Sequence, residues 1–238
     1  MEDETLGILA SGRGSNFESI LEHVEMDILT NVEVGCLVSD NPQARALKVA
    51  ESRGIHSETV DAENLRDRKE YEIRINKIFK EKGVTLIVLA GFMRIVSPYL
   101  IEKYRHKIMN IHPALLPSFK GLDAQKKALK YGVKVSGCTV HYAEEDVDAG
   151  EIILQKSVPV KEKDTVSTLS DRILIFEHRT YPKAIQLHAD GRIEIEDGRT
   201  RIDYSEDWEK KWDKRQKKFI EQQRKAWKDK KVYKDVFE

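Results

Sequence analysis

Asn110 and His112 stand two residues apart in the apolar run Ile108-Met109-Asn110-Ile111-His112, and Pro113 closes it. Residues i and i+2 of a strand share a face, so the amide and the imidazole are expected to project together from the strand's carboxyl end. Proline has no N–H to give to a ladder and stops the strand there. Asp148 comes 36 residues after His112, in the acidic loop Glu144-Glu145-Asp146-Val147-Asp148-Ala149-Gly150 between two further strand-like runs. An amide, an imidazole and a carboxylate on adjacent strand ends make a compact site for acid–base work and oxyanion stabilisation. Blander readings stand beside this one: His112 and Asn110 as a structural pair, and Asp148 as a turn residue next to Gly150. His112, His141 and Asp148 can also be drawn as a metal triad, although no tight ligand spacing supports it. No serine occupies a nucleophile elbow, which leaves a site where a bound nucleophile attacks a bound acyl donor.

The elements that position these groups alternate between strand and helix. Thr5-Leu6-Gly7-Ile8-Leu9-Ala10 reads as a first strand, and Ser11-Gly12-Arg13-Gly14-Ser15-Asn16 leads at once into an amphipathic helix through Phe17, Ile20, Leu21 and Val24. Glycines for a tight turn, free N–H groups at a helix start, and Ser15 and Asn16 as donors or caps would suit an anion. An ordinary tight turn is the alternative, since the lysine of a P-loop and the third glycine of a dinucleotide fingerprint are missing. Strands are expected at residues 32–38 and 55–60. A helix opened by Asn41 and Pro42 should end near Gly54, and one over residues 64–82 should present Tyr71, Ile75, Ile78 and Phe79. Val84-Thr85-Leu86-Ile87-Val88-Leu89-Ala90 is the most continuously apolar run, as a strand covered on both faces would be. It leads into Gly91-Phe92-Met93-Arg94-Ile95, either a hydrophobic crossover with Arg94 in solvent or the wall of a flat-ligand pocket.

Beyond it lie a short helix at residues 98–104, an irregular loop at 115–121 and a helix at 123–131. Residues 133–142 and 152–160 should pair antiparallel, because the connection is too short for a helical crossover. A helix at residues 164–187 should be irregular near Pro182, and residues 191–198 suggest a hairpin. The expected fold is a Rossmann-like α/β protein: an open, mostly parallel twisted sheet with helices on both faces and an antiparallel C-terminal strand pair. Residues 1–204 would form the catalytic domain and residues 205–238 a charged helical extension. That helix carries Trp208, Trp212, Phe219, Gln223 and Trp227 near one stripe, too much apolar area to leave in water. Cover by the parent domain or a second subunit is favoured over an RNA or membrane surface.

Composition excludes several classes. The 238 residues carry 41 basic and 41 acidic side chains, but residues 206–238 hold 12 Lys/Arg against 8 Asp/Glu, a net of +4 that leaves the body at −4. Wholesale nucleic-acid binding is therefore disfavoured. Cys36 and Cys138 sit in apolar runs, as buried free thiols would. The acidic N-terminus lacks an export signal and no run of 18 apolar residues exists, which points to the cytoplasm and away from membranes.

Ser11-Gly12-Arg13-Gly14-Ser15-Asn16, Ala90-Gly91-Phe92-Met93-Arg94-Ile95, Asn110-Ile111-His112-Pro113 with Leu115-Leu116-Pro117, Gly137-Cys138-Thr139-Val140-His141, and Asp148-Ala149-Gly150 with Ile152-Ile153-Leu154-Gln155 together carry a resemblance. Over roughly residues 5–195 the chain resembles the phosphoribosylglycinamide formyltransferases, folate-dependent enzymes of purine synthesis. The stretch beyond about Tyr204 is outside that pattern. The resemblance implies formyl transfer from 10-formyltetrahydrofolate, the co-substrate, to the amine of 5-phosphoribosylglycinamide. It assigns Asn110 and His112 to the formyl oxygen, and Asp148 to the proton network around His112 and an ordered water. Gly14, Ser15 and Asn16 would hold the substrate phosphate, Glu177 the ribose hydroxyls, and Met93 and Pro113 would lie beside the nucleotide. Leu89, Arg94, Ile95, Ala143, Glu144, Glu145, Asp146 and Val147 would border the pterin, and Arg68 would face the folate glutamate. His141 is expected as a hydrogen-bonded support.

Two positions depart from the pattern: Asp123 and Gln125 stand where some relatives have histidines, so the proton environment behind the trio differs. The chemistry requires no metal, and the implied partners are small molecules bound by a monomer or homodimer. Three rivals remain. A 10-formyltetrahydrofolate hydrolase would share the trio but normally carries an N-terminal domain for which residues 1–4 leave no room. A formyltransferase for initiator tRNA would need a C-terminal domain larger than 33 residues. A folate- or nucleotide-binding regulator that has lost catalysis would keep the pocket.

Overall fold

Four apolar residues, Leu86–Leu89, form the central strand β4 of a seven-stranded sheet, each buried as their uninterrupted hydrophobicity requires. The computed structural model describes residues 3–61, 68–230 and 236. In chain order the elements before β4 are β1 (Glu4–Leu9), α1 (Ser15–Glu25), β2 (Val32–Ser39), α2 (Arg45–Ser52), β3 (Ser57–Thr59) and α3 (Arg68–Glu81). After it come α4 (Pro98–Lys103), β5 (Ile108–His112), α5 (Ala124–Tyr131), β6 (Val135–Tyr142), β7 (Ile152–Pro159) and α6 (Val166–Ala189). A hairpin of β8 (Ile193–Glu196) and β9 (Arg199–Ile202) precedes α7 (Glu206–Trp227).

The strand order is β3-β2-β1-β4-β5-β6-β7, parallel from β3 through β5 and antiparallel at β5–β6 and β6–β7. Chain order reverses between β1 and β4, which opens a crevice at their carboxyl ends. One face of the sheet packs Leu6, Ile8, Val88, Met109 and Val140 with residues of α1, α6 and α7. The other packs Leu9, Val38, Ile87, Leu89 and Ile108 with Tyr71, Ile75 and Phe79 of α3 and Leu100 of α4. The expected α/β architecture, with helices on both faces and an antiparallel end, is the one observed.

Two local expectations change, a third lies partly outside the described residues, and a fourth holds with a compensation. Asn41 does not cap a helix. Its side chain accepts from the Gln43 N–H at 2.9 Å and its carbonyl from the Ala44 N–H at 3.0 Å, a turn that delays α2 to Arg45. Part of the helix expected from residue 64 lies outside the described residues, and its described part begins at Arg68. The hairpin turns at Asp197 and Gly198, both at positive φ, so its second strand follows residues 191–198 instead of closing within them. Helix α6 runs without interruption through Pro182. Proline leaves the carbonyl four residues back without its helical partner. That carbonyl, of His178, accepts instead from Ser19 Oγ at 3.0 Å, tying α1 to α6.

Most of the tryptophan stripe of α7 is covered by its own chain: Trp208, Trp212 and Phe219 are buried, Trp227 is half-buried, and the centre of the His23 ring of α1 lies 4.0 Å from that of Phe219. Full burial of each such ring contributes about 2–3 kcal/mol, enough to hold a helix whose outer face is charged.

Helix α6 is anchored at its start by Thr165, which caps the Thr168 N–H, and by a bidentate pair from Arg172 to Asp164 at 2.7 and 2.9 Å. Both side chains of that pair are at most 4% exposed. Burial alone would raise the Asp164 carboxyl, yet Arg172, the Lys161 N–H and Thr168 hold it down at about 2. Removing one partner leaves a buried charge uncompensated, so Asp164→Ala should cost about 3 kcal/mol in chemical unfolding followed by tryptophan fluorescence. Because the folded carboxyl titrates below its unfolded value near 4, its stabilisation is present above that pH and lost as pH falls toward 2.

Candidate active site

The cavity at the carboxyl ends of β1, β4 and β5 has a volume of about 1090 Å³, at the upper end of single-ligand pockets and roomy enough for two reactants. The loops after β1 and β4 are stitched together: the Ser11 N–H donates to the Gly91 carbonyl at 3.1 Å, and Ser11 Oγ accepts from the Met93 N–H at 2.9 Å. Gly14, at φ 74°, is the residue from which α1 starts. A Cβ there would lie 2.8 Å from that of Ala46, so only glycine lets the turn meet α2 this closely. Ser15 and Asn16 are the first residues of the helix and do not cap it with their side chains. Asn16 Nδ2 instead donates to Glu177 Oε2 at 2.9 Å, across the cavity wall from α1 to α6. Burial raises the Glu177 pKa, opposed by Asn16 and the Arg13 charge.

Asn110, on β5, faces His141 of β6 in the antiparallel register, and Asn110 Nδ2 lies 3.1 Å from His141 Nε2. His141 Nδ1 lies 2.7 Å from the Tyr142 carbonyl, which can only accept. The hydrogen therefore sits on Nδ1, and Nε2 accepts from the Asn110 amide. His112 Nε2 lies 2.9 Å from the Phe119 carbonyl and must likewise carry a hydrogen, which turns Nδ1 toward Asp148 Oδ2 at 3.2 Å. Burial pushes the His112 pKa below the ordinary imidazole range, while the Asp148 charge and the Phe119 carbonyl push it back up. Asp148 Oδ2 also accepts from the Gly121 N–H at 2.7 Å, and Oδ1 from Asn110 Nδ2 at 3.4 Å. Burial works against that carboxylate's charge, but the hydrogen bonds and charges around it outweigh burial and hold the pKa at about 2.

The trio expected from sequence thus meets, with His141 as its fourth member. Gly14, Ser15, Asn16, Met93, Pro113, Glu177, Leu89, Arg94, Ile95, Ala143, Glu144, Asp146 and Val147 all line the same cavity. Glu145 and Arg68 do not line it; Arg68 is exposed at the first residue of α3. Arg94 is held at the rim by Asp40, Nε to Oδ2 at 3.0 Å, with its guanidinium 5.5 Å from the centre of the Tyr71 ring. Asp123 and Gln125, the two departures from the family pattern, line the cavity too. Sequence reasoning missed Ser167, Ser170, Asp171 and Leu174 of α6. Counting back from Glu177 in steps of three and four gives this helical face. The Phe119 carbonyl and Gly121 N–H have no side-chain signal. Among the described residues, the atoms that gather as a possible metal set belong to His106, Glu144 and Glu151, within 4.8 Å of one another, and not to the His112 trio.

The family model described as Formyl transferase matches residues 6–185, most of the chain. The chain belongs to that family. Phosphoribosylglycinamide formyltransferase of Bacillus subtilis (strain 168) is 40% identical over 179 residues, 75% of this chain and 91% of that one. The trifunctional purine biosynthetic protein adenosine-3 of Gallus gallus is 43% identical over 190 residues; the match covers 80% of this chain but only 19% of that protein's length. The crystal structure of glycinamide ribonucleotide transformylase 1 from Symbiobacterium toebii superposes with a TM-score of 0.82 at 42% identity, covering 84% of this chain and 94% of that one.

Gly150 ends the Asp148 loop against the Tyr142 carbonyl, so close that an added Cβ would collide with backbone. Gly150→Ala should push the loop from β6 and cost about 2 kcal/mol in thermal or chemical unfolding.

Proposed function

We propose that this formyl transferase moves the formyl group of 10-formyltetrahydrofolate onto the amine of 5-phosphoribosylglycinamide, a step of purine biosynthesis. The observation that carries the reading is the buried His112–Asp148–Asn110 cluster on the wall of a cavity that also reaches Gly14, Asn16 and Glu177. In this reading Gly14, Ser15 and Asn16 hold the phosphate through a helix N-terminus, Glu177 takes the ribose hydroxyls, and Met93 and Pro113 flank the nucleotide. Leu89, Arg94, Ile95 and the loop Ala143, Glu144, Glu145, Asp146 and Val147 border the pterin, and Arg68 reaches the distal glutamate from outside the cavity. The protein would act on these small molecules in the cytoplasm, as a monomer or homodimer; among the described residues no helix is long and apolar enough to cross a membrane.

Attack of the amine on the formyl carbon builds negative charge on oxygen and positive charge on nitrogen. The His112 Nε2–H and the Asn110 amide are the donors for that oxygen, so the formyl oxygen takes the place of the Phe119 carbonyl on Nε2 and of Asp148 Oδ1, the longer of the two partners, on Asn110 Nδ2. Charge growing on the oxygen, together with Asp148, favours the imidazolium form that burial opposes. Each donor is worth about 3 kcal/mol of barrier if it acts as an oxyanion-hole group. The amine proton leaves through a water to Asp148, and a carboxylate held at about 2 passes the proton on instead of keeping it.

The deciding assay supplies 10-formyltetrahydrofolate with phosphoribosylglycinamide or with water as acceptor. Formylated glycinamide formed only with the amine present supports the transferase; tetrahydrofolate and formate released without it select the hydrolase, and no turnover selects a binding protein. His112→Ala and Asp148→Asn should each lower turnover by about 10²-fold with the fold intact. Near-normal rates in either would refute that residue's role.

A further inference from the structure

Helix α7 lies beyond the residues matched by the family model, yet it grips both helices that carry the Asn16–Glu177 hydrogen bond. Ser170, Asp171, Leu174 and Glu177 share the cavity-facing side of α6. Another side of the same turns meets α7. Gln223 Nε2 donates to the Ile175 carbonyl at 3.1 Å, Gln223 Oε1 accepts from Arg179 Nε at 2.7 Å, and Gln216 Nε2 donates to the Arg179 carbonyl at 3.1 Å. These two carbonyls sit two residues before and two after Glu177. On α1, the His23 ring packs against Phe219, with Trp212 stacked at 6.5 Å, and Arg215 Nη1 donates to Thr30 Oγ1 just past that helix at 3.0 Å.

Leucines would bury as much area at positions 216 and 223. A buried amide costs free energy unless its polar atoms are paired; Gln223 pairs both its nitrogen and its oxygen, and Gln216 its nitrogen, with groups at fixed places along α6, which sets the register of one helix on the other. No residue of α7 lines the cavity, so any effect on the site passes through α6 and α1. We propose that Gln216 and Gln223 are positioning residues: α7 holds the turn of α6 that bears Glu177 against Asn16, and thereby shapes the phosphoribosyl half of the cavity while leaving the folate half alone. The inference rests on the assignment of Glu177 to the glycinamide substrate made above.

The test is initial-rate kinetics of the full chain with both substrates varied, comparing Gln216→Leu/Gln223→Leu with the parent. The KM for phosphoribosylglycinamide should rise about tenfold and that for 10-formyltetrahydrofolate should not move. Unchanged values for both, or a parallel rise in both, overturn the proposal. Hydrogen exchange of the unmutated protein gives a reading that does not depend on the variant folding. Phosphoribosylglycinamide should slow exchange in residues 206–227 and the folate donor should not, since coupling between two sites is reciprocal; no protection by the glycinamide overturns the proposal as well. Glu177→Gln separates the two levels. If it leaves the glycinamide KM unchanged, the assignment of Glu177 fails and takes this inference with it. If it raises that KM while the glutamine variant does not, only the role of α7 fails.

Discussion

A carboxylate whose side chain is only 8% exposed has to be surrounded by polar partners, and Asp148 draws them from two parts of the chain. The Gly121 N–H comes from the loop after β5, and His112 and Asn110 come from β5 itself. Asp148 stands at φ 51°, an uncommon conformation for a side-chain-bearing residue, which the surrounding contacts hold. Satisfying this one charge brings the loop at residues 115–121 and the loop at residues 143–150 over the same sheet face. The close seat of Gly150 on the Tyr142 carbonyl limits how far the second loop can drift.

The rest of the cavity follows from topology. Reversal of strand order between β1 and β4 leaves their carboxyl-end loops side by side, and Ser11 welds them by donating to the Gly91 carbonyl and accepting from the Met93 N–H. Helix α6 completes the wall because it crosses the sheet at β4 and β5, where Tyr181 shares its one hydroxyl hydrogen between the carbonyls of Met109 and Leu89, at 2.8 and 3.1 Å. The proposed reading assigns one substrate to the glycine turn with its helix face and the other to the loops across from it. The proposed chemistry happens where they meet.

Most strands and helices were legible because their periodicity reports burial directly: the apolar run of β4, the stripe of Tyr71, Ile75, Ile78 and Phe79, and Trp208 and Trp212 of α7 are covered as their spacing requires. The errors fall where a local turn competes with a helix or strand. Asn41 reads equally well as a cap or as a turn former, and its side-chain bond to Gln43 decided for the turn. Pro182 costs α6 one intrahelical bond, as its residue type dictates, and the helix continues because Ser19 supplies the partner that the His178 carbonyl lacks.

From the order of residues alone came the α/β alternation, the pairing of Asn110 with His112 on one strand face, the glycine turn before α1, and the need to cover the C-terminal helix, because each depends on spacing within a few residues. Only the tertiary structure decided that His141 accepts from Asn110, that the Phe119 carbonyl sits on His112, that Arg94 is tied to Asp40 and that α7 grips α1 and α6. Those contacts join residues up to 185 positions apart, as Arg215 and Thr30 are, or use backbone atoms that every residue shares. No local pattern of side chains encodes either kind of contact.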